Sequence, residues 1–156
     1  MTLPPEWSEF IGSSCGGRVR FLIVGAHALA VHGRPRATGD LDLFVDPTAE
    51  NAARLAGALS AFGFTALARK TKELATPDRM VTLGRPPLRI DVMTSISGVS
   101  FAEAWRGRRT VRFGTHRVGV LGRAQFERNK RASGRPQDLL DLELLGQAGR
   151  KRRRPR

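Results

Sequence analysis

The six residues Asp40-Leu41-Asp42-Leu43-Phe44-Val45 constrain this chain more than any other stretch. They open in strict polar–apolar alternation, the pattern of a strand with one face in the core. Residues i and i+2 of a strand point to the same side. The spacing therefore sets the Asp40 and Asp42 carboxylates side by side. Two carboxylates that close repel each other, and one pKa rises unless a cation stands between them. Mg²⁺ is a hard ion that takes oxygen ligands, commonly one or two carboxylates together with substrate phosphates. The stretch reads as a metal site that awaits a nucleotide.

The residues before it supply a scaffold. Val19 to Val24 reads as a buried strand that stops at Gly25. Ala26 to His32 reads as a short helix, and Gly33-Arg34-Pro35-Arg36 breaks it. After the Asp40 strand, Asp46-Pro47 predicts a helix start with Asp46 as N-cap. That helix runs to about Phe62 and ends at Gly63. Phe64 to Ala68 reads as a strand, and Thr71 to Asp78 as a polar loop or a helical turn.

Two hairpins follow. Met80–Leu83 and Leu88–Met93 are joined by Gly84-Arg85-Pro86-Pro87, and Thr110–Phe113 and Arg117–Leu121 by Gly114-Thr115-His116. Alternation in the first hairpin puts Arg89, Asp91 and Met93 on one face and Leu88, Ile90 and Val92 on the other. Asp91 is thus a third acid on a later strand. Ser100 with Glu103 forms a capping box for a helix over 100–106. Helices are also predicted over Arg123–Ala132, ended by Gly134, and over Gln137–Gln147. The last carries Leu139, Leu142 and Leu145 on one stripe, with Asp138 and Asp141 elsewhere. An i,i+3 pair such as Asp138 and Asp141 suits ion pairing with Lys130 or Arg135.

Composition limits the class. The chain has 156 residues and 40% hydrophobic residues, enough for one domain with its own core. The expected organisation is one domain over 1–148 and a basic disordered tail over 149–156. No apolar run approaches the roughly 20 residues of a membrane span. The N-terminus lacks a signal-peptide layout. A single cysteine, Cys15, excludes an intrachain disulfide and a cysteine-based zinc site. A cytoplasmic protein without a membrane partner is the plain expectation. The formal net charge is +13, and it is unevenly placed. Residues 1–105 hold 11 Lys+Arg against 10 Asp+Glu, and residues 106–156 hold 16 against 4. Such asymmetry suits a polyanionic partner, most often nucleic acid, and argues against a cationic small substrate. A solvated basic face is the alternative.

The order of these features resembles the nucleotidyltransferase superfamily. That signature is an apolar residue, Gly, then Gly or Ser, a gap, and Asp-apolar-Asp-apolar. Here it stands as Val24-Gly25-Ala26, a gap of 13 residues, and Asp40-Leu41-Asp42-Leu43. Ala26 departs from the pattern. Arg36-x-Thr38-x-Asp40-x-Asp42, with Lys130 and Gly134-Arg135-Pro136-x-Asp138-x-x-Asp141, looks like the compact bacterial proteins related to AbiEii-type nucleotidyltransferase toxins. The resemblance implies an α/β (α+β) fold with a short mixed sheet, helices packed on one side and further helices at the C-terminus. It implies Mg²⁺-dependent transfer of a nucleotide from an NTP to an acceptor, and the basic half favours RNA, such as transfer RNA, as that acceptor. A toxin–antitoxin setting would add an antitoxin protein.

The chemistry assigns roles. Asp40, Asp42 and Asp91 would hold two Mg²⁺ ions, with Asp91 orienting or deprotonating the attacking hydroxyl. Gly25 and Ala26 would lie against the triphosphate, at a helix N-terminus that favours anions. Arg36 and Lys130 are candidates for neutralising phosphate, with surface charge as their alternative. Thr38 suits fixing the turn beside the site. His27, His32 and His116 have no metal-ligand spacing. Two rival functions stay open. One is a non-catalytic module that binds RNA or a protein, which Ala26 favours. The other is nucleotidylation of a protein or small molecule.

Overall fold

The apolar runs and the breakers between them produce an alternation of helix and strand. In the computed structural model, which describes residues 3–33 and 38–153 (backbone alone from 148), helix α1 (Pro5–Gly16) leads into strand β1 (Phe21–Val24) and helix α2 (Gly25–Val31). Strand β2 (Asp40–Val45) carries the two aspartates, and helix α3 (Ala49–Ala61) follows. Next come helix α4 (Thr65–Ala68), a 3₁₀ segment (Arg69–Ala75), and strands β3 (Met80–Leu83) and β4 (Arg89–Met93). Helix α5 (Phe101–Arg106), strands β5 (Arg109–Phe113) and β6 (His116–Val120), and helices α6 (Arg123–Ser133) and α7 (Pro136–Arg153) complete the order.

The strands form one mixed sheet in the order β3-β4-β2-β1-β6-β5. Both predicted hairpins are present as antiparallel pairs. The pairing that matters most joins strands far apart in sequence. β2 runs parallel to β4, so Asp42 stands opposite Asp91 and Asp40 opposite Arg89. β1 is antiparallel to β2, with Val24 opposite Asp42. Ile23 is opposite Val120 in a parallel pairing with β6.

Register fixes which residues share a face. Following it across the sheet places Asp40, Asp42, Arg89, Asp91, Leu22, Phe44, Gly119, Arg112 and Arg117 on one side. Leu41, Leu43, Ile23, Val118 and Val120 lie on the other and are buried in the core. α5 sits on the carboxylate side, where Phe101 meets Phe44 edge-on at 5.2 Å between centroids. Trp7 and Phe10 of α1, three residues apart, dock into the core.

Four local expectations need correction. Thr48, not Asp46, caps α3, accepting a hydrogen bond from Asn51 N at 3.1 Å. Asp46 instead pairs with Arg20 at 3.1 Å. Phe64 to Ala68 does not form a strand: residues 65–68 are helical and continue into the 3₁₀ segment, because Leu74 and Thr71 find their burial against α3. On α7 the inward positions are Asp138, Asp141 and Leu145, while Leu139 is 53% exposed. The helix turns its acids inward because a buried lysine awaits them. α7 also extends to Arg153, into the segment expected to be a tail. Among the described residues no helix is long and apolar enough to cross a membrane.

Candidate active site

The β1–α2 junction and the β2–β4 pair build the site together. Gly25 takes φ +66, in the left-handed region that glycine tolerates best. A Cβ built on Gly25 would collide with the Asp42 carboxylate. The turn therefore brings backbone into direct contact with the acid, and only a residue without a side chain permits it. Ala26, the next residue, is 4% exposed and does not line the cavity described below.

Asp91 is 5% exposed and fully engaged. Arg89 Nε donates to Oδ1 at 3.0 Å and Arg89 Nη2 to Oδ2 at 2.7 Å, a forked geometry suited to carboxylate. Thr82 Oγ1 on β3 adds a third donor to Oδ1 at 2.8 Å. Among the described residues Asp42 has no such donors. Burial comes first in pushing its pKa up to about 6, followed by the negative charges of Asp91 and Asp40. Lys130 and Arg89 offset part of that rise.

These residues line a cavity of about 570 Å³. Its walls include Gly25 at the start of α2 and Asp40, Asp42, Arg89 and Asp91 from the sheet. Ser95, Ser97, Asn129, Lys130, Ser133 and Arg135 enclose the other side, and Met80, Met93 and Ile96 add apolar surface. Asn129 Nδ2 donates to the Ser97 carbonyl at 3.0 Å, tying α6 to the loop after β4.

Lys130 is buried, so the surface alternative for it does not hold. Its Nζ lies 3.1 Å from Asp138 Oδ1 and 3.5 Å from Asp141 Oδ2. Arg135 Nε donates to Asp138 Oδ2 at 2.8 Å. Burial alone would raise the Asp138 pKa, but hydrogen bonds from Arg135, Ser133 and Lys130 hold it well below the usual carboxylate range. The expected pairing of Asp138 and Asp141 with Lys130 and Arg135 is what the structure contains. Lys130 thus reaches the cavity with its charge already matched by two acids.

Of the predicted site residues, the structure brings together Gly25, Asp40, Asp42, Asp91 and Lys130 around one cavity. Thr38 holds the turn, its Oγ1 accepting from Asp40 N at 3.1 Å. Arg36 lies outside the described residues. Sequence reading gave no site role to Arg89, Thr82, Ser95, Ser97, Asn129 and Ser133, and it assigned Arg135 only to ion pairing. Arg89 was legible in principle, two positions before Asp91 on an alternating strand. Nothing local marked the others: Ser95 and Ser97 lie on the loop after β4, and Asn129 and Ser133 arrive through the packing of α6.

The donor set fits a hard divalent ion. It offers carboxylate oxygen alone, and Asp40 and Asp42 face open cavity. Among the described residues no three acidic, His or Cys side chains are gathered closely enough to enclose an ion by themselves. An ion there would complete its shell with water or phosphate, the usual habit of Mg²⁺.

No protein-family model and no curated protein sequence matches the chain. Among solved structures it is similar to the crystal structure of a "putative nucleotidyltransferase" from Thermotoga maritima. The two share 15% identity and a TM-score of 0.51, over 97% of this chain and 93% of that one. At that identity the likeness concerns the fold: the chain has a nucleotidyltransferase-like fold, a mixed six-stranded sheet with helices.

Proposed function

We propose that this chain is a metal-dependent nucleotidyltransferase that moves a nucleotide from an NTP to a hydroxyl of RNA. The observation that carries the reading is the β2–β4 register, which sets Asp42 opposite Asp91 and both beside Asp40 at a cavity floored by Gly25. The likeness in fold to the Thermotoga protein supports the same class of chemistry.

In this reading the acceptor oxygen attacks the α-phosphorus, a new P–O bond forms, and the bond to pyrophosphate breaks in line. Asp40 and Asp42 would hold divalent ions, which offset charge on the attacking and leaving oxygens. Gly25 lets the chain close against Asp42 and so sets that carboxylate at the cavity. Asp91 orients the acceptor hydroxyl and takes its proton. Arg89 and Arg135, both at the cavity wall, meet phosphate oxygens. The +12 balance of residues 106–156 favours an RNA acceptor over a cationic one.

The test is incubation with α-³²P-labelled NTPs, Mg²⁺ and total RNA. Label in RNA that Asp42→Ala abolishes supports the proposal, and no label with any NTP counts against it. A toxin role would appear as growth arrest on expression, relieved by the same substitution. One observation favours a second reading, a non-catalytic binding module: both Asp91 oxygens are already occupied by Arg89 and Thr82. Calorimetry with Mg²⁺–NTP separates the two, because a module that binds RNA alone gives no heat with nucleotide.

A further inference from the structure

We infer that the carboxylate-side face of the β5–β6 hairpin is a docking surface for RNA, gripped through its phosphates by Arg108, Arg112 and Arg117. All three are exposed, and no carboxylate pairs with them among the described residues. Arg112 and Arg117 stand directly opposite one another in the register. Like charges so placed destabilise a strand pair, and the fold keeps them with no acid to relieve the repulsion. Arg108 and Arg112 lie roughly 13 Å apart along the chain, a span of a few nucleotides.

Arg108 is held in place. Its guanidinium lies 4.0 Å over the Trp105 ring and its Nη1 donates to the Trp105 carbonyl at 2.6 Å. Arg20 approaches the same indole at 4.7 Å. Gly119, opposite Thr110, leaves the floor over which the Arg108 stem crosses: a Cβ there would come within 3.1 Å of Arg108 Cδ and 2.7 Å of Leu22 Cδ2. A guanidinium plane fixed on an aromatic ring is a platform on which an unpaired base stacks. Protection of an edge strand accounts for charge on β5. It does not account for Arg117 on the inner strand, nor for an arginine anchored on tryptophan.

The face is also the right one. The register places Arg112 and Arg117 on the same side of the sheet as Asp40, Asp42 and Asp91. RNA lying on the hairpin therefore shares that side with the cavity. The inference takes up the RNA acceptor of the proposed function, but its test reads binding without nucleotide or metal, so each can fail alone.

The probe is a fluorescein-labelled single-stranded oligoribonucleotide, followed by anisotropy across a salt series. Arg108→Ser/Arg112→Ser/Arg117→Ser is compared with Arg69→Ser/Lys70→Ser/Lys72→Ser, which removes equal charge elsewhere. The hairpin variant should bind at least about tenfold more weakly, with the log–log salt slope reduced by about 2, as three lost phosphate contacts require. The control should stay within about threefold of wild type. The single Arg117→Ser variant, folded by its melting curve, should show a smaller drop in the same direction. Equal loss in the control would overturn the inference by assigning binding to bulk charge. Wild-type protein that binds heparin but not the oligoribonucleotide would overturn it too, leaving an acidic protein as occupant.

Discussion

Gly25 and Asp42 are in backbone-to-carboxylate contact, and the space between them is smaller than a methyl group. The Gly25→Ala variant must therefore move the acid and also take φ +66 with a side chain. The backbone term alone costs about 1–2 kcal/mol. We expect a lowered melting temperature together with loss of nucleotide transfer beyond what that destabilisation explains, as measured by thermal unfolding and by the labelled-NTP assay below the melting range.

Asp42 carries a pKa raised to about 6, so the folded metal-free protein holds its proton more tightly than the unfolded chain. Stability from this group is fully present below the unfolded carboxylate pKa and is lost as pH rises through about 6. Melting temperature should fall over that window in wild type and stay flatter in Asp42→Asn. Millimolar Mg²⁺ should restore the wild type above that pH and leave the variant unchanged.

Lys130 is a buried cation shared by Asp138 and Asp141. Its removal in Lys130→Ala takes from two buried acids the buried cation they share, a loss of about 3–5 kcal/mol. Urea unfolding should show it as a lower midpoint. Lys130→Arg, which keeps the charge, should lose less. A Lys130→Ala protein as stable as wild type would contradict the burial of this cluster.

Arg89 faces Asp40 across the register and forks onto Asp91, a positive charge beside three acids. With Arg89→Gln, the acids lose that internal counter-charge. The Mg²⁺ concentration giving half-maximal thermal stabilisation should drop several-fold, while transfer activity falls because phosphate loses a donor. Unchanged Mg²⁺ dependence would show that Arg89 and a bound ion do not compete.

Much of the site was legible because strand alternation is a local rule. It set Asp40 beside Asp42 and put Asp91 on the polar face of β4. What sequence could not supply was the pairing of β2 with β4, since strand order depends on contacts far apart in the chain. Capping failed at Asp46 because Pro47 precedes a second acceptable cap, Thr48, and tertiary pairing with Arg20 drew the aspartate away. The leucine stripe on α7 failed for a different reason. Periodicity assumes that apolar side chains choose the buried face, and here Lys130 made that face polar. Asn129 joined the cavity through the packing of α6 against the loop that carries Ser95 and Ser97, which leaves no trace in local pattern.

The parallel pairing of β1 with β6 joins Ile23 to Val120, residues 97 positions apart. The acidic strands are complete by Met93, but β1 gains its second neighbour only after the ribosome has delivered the hairpin. Until then one side of β1 is an open ladder of unpaired amides and carbonyls, a template for neighbouring nascent chains. Messages that stop short of the hairpin would therefore yield aggregates rather than small active fragments.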